Sequence, residues 1–173
     1  MKFTRSIVQT TFQSPLGKMI IAATDKGLAG LWFEGQRHLP PELVDPPVWP
    51  SDPAHPVLQQ VMTQLTEYFT GQRTQFDVPL DLAYGTAFQQ SVWQALLKIP
   101  QGGTASYGEV SQRIGKPSAV RAVGAAVGRN PVSIIVPCHR VMGAKGALTG
   151  YAGGLERKTA LLRLEGILQE HRS

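Results

Sequence analysis

The chain has 173 residues, 42% hydrophobic and 17% charged, with one cysteine and a net charge of +5. That length holds one medium domain or two small ones, and the composition is ordinary for a globular protein in water. No apolar run reaches the ~20 residues of a membrane helix, and no basic–apolar leader opens the sequence. A lone thiol excludes an internal disulfide and a multi-cysteine zinc site, and it suits a reducing compartment, so a cytoplasmic protein is expected.

Residues 1–85 predict a small α/β unit. Apolar, β-rich runs at 6–12, 18–24 and 28–33 are separated by Pro15-Leu16-Gly17 and Asp25-Lys26-Gly27, which reads as an antiparallel meander. A proline-rich stretch over 39–56 predicts a loop. Val57, Val61, Leu65, Tyr68 and Phe69 then recur at helical spacing, with Gly71 placed to end the helix, and a last strand is expected over 75–82. His38 and His55 have no ligand-spaced partners and are expected to be exposed loop residues.

Residues 86–173 predict a mainly helical unit. Thr86 and Gln89 form a capping box ahead of a helix whose buried stripe is Phe88, Val92, Trp93, Leu96 and Leu97. Ser106 and Glu109 form another, opening a short helix over 107–114 that Gly115 closes. Lys116-Pro117-Ser118 leads tightly into a second helix over 119–128, and the pair makes a helix-turn-helix. This second helix is built from small residues. Arg121 is its one long polar side chain, so it suits close approach to a groove floor and has little capacity to read base edges. A short buried strand is expected to end at Cys138, and Leu155, Leu161, Leu162 and Leu164 pattern a final helix closed by Gly166.

Charge is divided along the chain. Residues 1–85 carry 6 Lys/Arg against 8 Asp/Glu, and residues 86–173 carry 11 against 4, giving −2 and +7. A positive half is the electrostatic footprint of a phosphate-backbone binder.

Cys138 stands in Ile134-Ile135-Val136-Pro137-Cys138-His139-Arg140. A lone cysteine is either a small buried apolar residue or a nucleophile. An imidazole and a guanidinium next in sequence both favour the thiolate, which is the reactive form. A cysteine hydrolase would also use Cys and His but leaves the basic helix-turn-helix unexplained. A non-catalytic DNA-binding protein would have no need of the cysteine.

Around it run Arg121-Ala122-Val123-Gly124-Ala125-Ala126, Asn130-Pro131, Pro137-Cys138-His139-Arg140, Gly150-Tyr151-Ala152-Gly153-Gly154 and Glu165-Gly166. In order and spacing, from about Thr86 to Gly166, this resembles the O6-alkylguanine-DNA alkyltransferases, which are direct-reversal DNA repair proteins. The resemblance implies a ribonuclease H-like N-terminal part, residues 1–85, and a DNA-binding and catalytic part, residues 86–173. It implies irreversible, one-shot transfer of an alkyl group from O6-alkylguanine to Cys138, with O4-alkylthymine as a further substrate. It also implies minor-groove binding and extrusion of the base from the stack.

In the family's register, Arg121 would fill the space left by the extruded base, with Ser118, Ala119 and Ala122 beside it against the DNA. Tyr107 would donate toward guanine N3, where negative charge develops. His139 would take the thiol proton through a water, and Glu165 would orient His139. Asn130 would tie the helix-turn-helix to the active-site segment, and Arg140 would do similar structural work. Tyr151, Ala152, Gly153 and Val141 would line the substrate pocket. Ala152 departs from members with serine there, which keeps a backbone donor and loses a hydroxyl. The first half lacks the Cys/His zinc set of some members, so neither metal nor cofactor is expected. The implied partner is double-stranded DNA carrying alkylated guanine, with no membrane, and the implied state is a monomer, with cooperativity along DNA left open.

Overall fold

The computed structural model describes residues 6–43, 45 and 48–168. Strands β1 (Val8–Ser14), β2 (Gly17–Ala23) and β3 (Leu28–Phe33) pair antiparallel in the order β1-β2-β3. Gly27 turns the second hairpin with φ 150, and a Cβ there would stand 2.5 Å from the Pro79 carbonyl oxygen. Only glycine serves both the turn and that close approach.

The segment at 75–82 is not the regular strand its pattern predicts. It makes one bridge, Leu28 to Leu80, with Leu28 N donating to Pro79 O and Asp81 N to Leu28 O, both at 2.8 Å. Pro79 brings no N–H, and the Gln64 side chain takes the Asp77 backbone at both ends, so the ladder does not extend.

Helix α1 (Pro56–Phe69) buries Leu58, Val61, Leu65 and Tyr68. His55, expected as a free loop residue, is its N-cap: Nδ1 accepts from Val57 N at 3.2 Å. Among the described residues of the proline-rich stretch there is one 3-10 turn, Pro41–Leu43. Trp49 from this stretch stacks on Trp32 and closes a small apolar cluster with Ile7, Ala22 and Leu43.

The second half comprises α2 (Ala87–Leu96), β4 (Ala105–Ser106), α3 (Tyr107–Arg113), α4 (Val120–Gly128), β5 (Val141–Met142) and α5 (Leu155–Leu164). Both capping boxes form as the sequence predicts. Trp93 of α2 is fully buried, and its indole N–H donates to Ala126 O at 2.9 Å, which locks α2 onto α4. One apolar core runs through both halves, joining Leu31, Phe33, Leu65 and Tyr68 to Val92, Trp93, Val123 and Leu161.

The stretch before Cys138 is a chain of tight turns where a strand was expected. Only Val132 bridges a strand residue, Leu31 of β3. Ile134 sits at φ 72, a left-handed conformation that a β-branched residue rarely adopts. Asn130 takes over the work of a ladder: its Oδ1 accepts from Val132 N at 3.0 Å and its Nδ2 donates to Val136 O at 2.8 Å. Sequence pattern detected the burial of this stretch correctly. It had no means of showing that a side chain replaces the neighbouring strand.

Candidate active site and DNA-facing surface

Cys138 opens a 3-10 turn, Cys138–Arg140, and all three of its residues are buried. Burial is the largest influence on the thiol and pushes it up to about 11, against a hydrogen bond from the Asn130 side chain and the charge of Lys158. The sequence expectation was that His139 and Arg140 would hold a thiolate. In the fold both side chains turn to another partner, so the resting sulfur is a thiol that needs a base.

That partner is Glu165, the C-cap of α5, whose side chain is fully buried. His139 Nε2 lies 2.7 Å from Glu165 Oε2, and Arg140 reaches Oε1 through Nε at 2.7 Å and Oε2 through Nη2 at 3.0 Å. Arg140 Nη1 donates to Ile99 O at 2.6 Å, and the Tyr68 hydroxyl donates to Oε2 at 2.5 Å. Burial alone would raise the Glu165 carboxyl, but the bonds from His139, Arg140 and Tyr68 hold it at about 2. Burial lowers His139 in spite of Glu165, so the imidazole is neutral at rest. With Nε2 donating to the carboxylate, Nδ1 is left as the acceptor nitrogen, buried and without a hydrogen-bond partner among the described residues. A carboxylate at a helix C-terminus opposes the helix dipole. Here cationic and polarised donors offset that cost.

Lys158 was not singled out from sequence. It is fully buried, and Nζ donates to Val141 O at 2.6 Å and Thr149 O at 2.7 Å. Burial lowers its pKa, while the proximity of Cys138 raises it. The signal was present: Lys158 falls three residues after Leu155 and three before Leu161, on the apolar stripe of α5. Tyr68 reads from sequence as a core residue, and nothing in its spacing joins it to a carboxylate 97 positions away.

A cavity of about 140 Å³ opens beside the cysteine. Cys138 lines it together with Tyr107, with Gly124, Val127 and Gly128 of α4, and with Gly150, Tyr151 and Ala152. Arg37 and His38 complete its rim, and Arg37 N donates to Ala152 O at 3.1 Å. His38 is exposed, as expected of a loop residue, yet it belongs to this rim. Two residues assigned to the pocket lie elsewhere. Val141 is fully buried, with its carbonyl on Lys158, and Gly153 lies behind the wall, where a Cβ would come within 3.0 Å of the Phe33 ring. A larger cleft of about 610 Å³ reaches Arg140 and Glu165 from another side, but Cys138 does not line it.

Tyr107 begins α3 and is half-buried in the cavity wall. Across the turn, Ser118, Val120, Arg121, Ala122 and Ala125 are exposed and Ala119 is half-buried, while Val123, Ala126 and Val127 face the core. Arg121 thus stands on the exposed face of α4, on the same side as Gly124 and Gly128, which follow it at i+3 and i+7 and line the cavity. Among the described residues, no group of three or more His, Cys, Asp or Glu could hold a metal ion, and no helix is long and apolar enough to cross a membrane.

Residues 87–167 match the model of the 6-O-methylguanine DNA methyltransferase DNA binding domain, and residues 7–82 match that of the family's ribonuclease-like domain. The chain is 50% identical over 155 residues to a methylated-DNA–protein-cysteine methyltransferase of Mycobacterium bovis, covering 90% of each. It is 43% identical over 163 residues to the protein of that name from Haemophilus influenzae, covering 94% of this chain and 88% of the relative. The crystal structure of Mycobacterium tuberculosis OGT in complex with DNA superposes with a TM-score of 0.80 at 50% identity, over 90% of both chains.

Proposed function

The chain belongs to the 6-O-methylguanine DNA methyltransferase family, and we propose that Cys138 is the sulfur on which its chemistry ends. The activity is direct-reversal DNA repair, in which an alkyl group moves from DNA to a protein cysteine, and DNA is the partner. The single observation that carries the assignment is the sole cysteine, at a cavity wall, followed in sequence by a histidine seated on a buried carboxylate.

In this reading the thiol proton passes to His139 Nδ1, through a water where the gap requires one, and Glu165 steadies the imidazolium. Cys138 Sγ forms a bond to the alkyl carbon as the bond from that carbon to guanine O6 breaks. The departing guanine keeps the electron pair, and the Tyr107 hydroxyl donates toward its N3. The thioether has no acyl carbon for water to attack, so each molecule acts once.

Asn130 fixes the turn carrying the sulfur, and Tyr151 and Ala152 border the base. Residues 1–85 serve as scaffold to the catalytic residues 86–173. The outer α4 face, Ser118, Ala119, Arg121 and Ala122, approaches a duplex carrying alkylated guanine from the minor groove, and Arg121 replaces the extruded base. Alkylated thymine is a second substrate, the chain acts as a monomer, and it works in the cytoplasm. Substituting Cys138→Ser should abolish transfer and leave DNA affinity near wild type, because a hydroxyl is far less acidic than a thiol. Transfer by the variant near the wild-type rate would sink the assignment.

A further inference from the structure

We propose that Tyr68, supplied by α1 of the N-terminal half, is a positioning residue for alkyl transfer that holds the Glu165 carboxylate as a fixed anion under His139. The inference rests on the Cys138–His139–Glu165 reading above and extends that machinery into the other half of the chain.

The Tyr68 ring is 2% exposed and packs against Phe69 and Phe76, with ring centroids 5.2 and 5.3 Å away. Packing of that kind needs only a ring, and phenylalanine would satisfy it. The hydroxyl goes further, to Oε2 of Glu165, the same oxygen that faces His139 Nε2. Oε2 therefore accepts from Tyr68, His139 and Arg140 Nη2, while Oε1 accepts from Arg140 Nε.

Each donor drains charge from the carboxylate and lowers its appetite for a proton. A proton that His139 takes from the thiol then stays on the imidazole instead of running on to Glu165. Burial, the Glu165 charge and the bond to Glu165 all raise Tyr68, so the hydroxyl remains a donor throughout the working pH range. The three donors come from two elements. Tyr68 comes from α1, His139 and Arg140 come from the turn after the cysteine, and Arg140 is itself anchored on Ile99 O. The carboxylate is held against rotation by groups from both halves.

The test is the pH dependence of transfer from free O6-benzylguanine to the full chain, comparing wild type with Tyr68→Phe. The charged and titratable groups facing His139 are Glu165 and Lys158 from α5, and Arg140 from its own turn. All of them are retained in the variant. Losing the phenol leaves more charge on Oε2, which favours the imidazolium, so His139 stops acting as a base at a higher pH. The acid limb of the profile should move up by about one pH unit, so that the rate on that limb falls roughly tenfold. Rates should converge on the alkaline side.

A lowered melting temperature with an unmoved acid limb would make Tyr68 a packing residue and overturn the proposal. A double-mutant cycle gives an independent reading. Adding Tyr68→Phe to Glu165→Gln should change the rate little further, whereas a fully additive loss would show that Tyr68 does not act through Glu165. Persistent transfer by Cys138→Ser would refute the underlying cysteine assignment instead, so the two failures are distinguishable.

Discussion

The carboxylate network that holds His139 and the exposed face of α4 both adjoin the cavity at Cys138 and follow opposite rules. Glu165, His139 and Arg140 are buried, mutually bonded and tied into both halves of the chain. Arg121 and its small neighbours are exposed. A buried network fixes chemistry because moving any member leaves another without its partner. A slim exposed face with one long side chain leaves room for a nucleic acid to come close. Substitutions in the two regions should therefore fail in different ways.

The largest effect is expected at Glu165. Glu165→Gln leaves Arg140 buried without its anion, and breaking a buried pair costs about 3–5 kcal/mol. Transfer should fall by roughly a hundredfold or more, even from a free base, because the imidazolium loses its support. Thermal unfolding together with single-turnover rates would check both. An unchanged melting temperature would show the network to be less coupled than its distances imply.

Arg121→Ala should do the reverse, leaving stability within about 0.5 kcal/mol of wild type. If Arg121 repays part of the few kcal/mol of base extrusion, repair of duplex DNA should slow by roughly 10- to 100-fold. Transfer from free O6-benzylguanine should stay near wild type. Equal losses on the two substrates would move Arg121 from the DNA face into the chemistry.

A smaller effect, confined to the network, follows from acid. Glu165 is held at about 2 in the fold against an ordinary 4.5, so the stability it contributes is fully present above about pH 4.5. That stability is lost as pH falls from about 4.5 toward 2, through the folded value. Melting temperatures measured across that window should drop more steeply for wild type than for Glu165→Gln. Parallel curves would remove Glu165 from the acid sensitivity.

How much of this could be read in the sequence differs between the same two regions. The α4 face was nearly complete there, because exposure, small side chains and a single arginine are properties of one helix and its own periodicity. The meander, α1, both capping boxes and the glycine that closes α3 were legible for the same reason. Within the network, Cys138 with His139 and Arg140 beside it stood out from the residues themselves, Glu165 came through family resemblance, and Tyr68 came through neither. No local pattern carries a bond between α1 and the end of α5. Lys158 could have been found as a cation on an apolar stripe. The expected strands at 75–82 and before Cys138 failed because the Gln64 and Asn130 side chains supply what neighbouring strands would have supplied. Apolar β-branched runs report burial more faithfully than they report pairing.

The central claim is that Cys138 accepts the alkyl group once and keeps it. Titrating an O6-methylguanine oligonucleotide against a fixed amount of protein, with mass spectrometry of the product, tests it most directly. The account predicts a plateau at one lesion repaired per molecule and a single methyl mass located on Cys138. Repair continuing well past that plateau, or a methyl mass on any other residue, would contradict it.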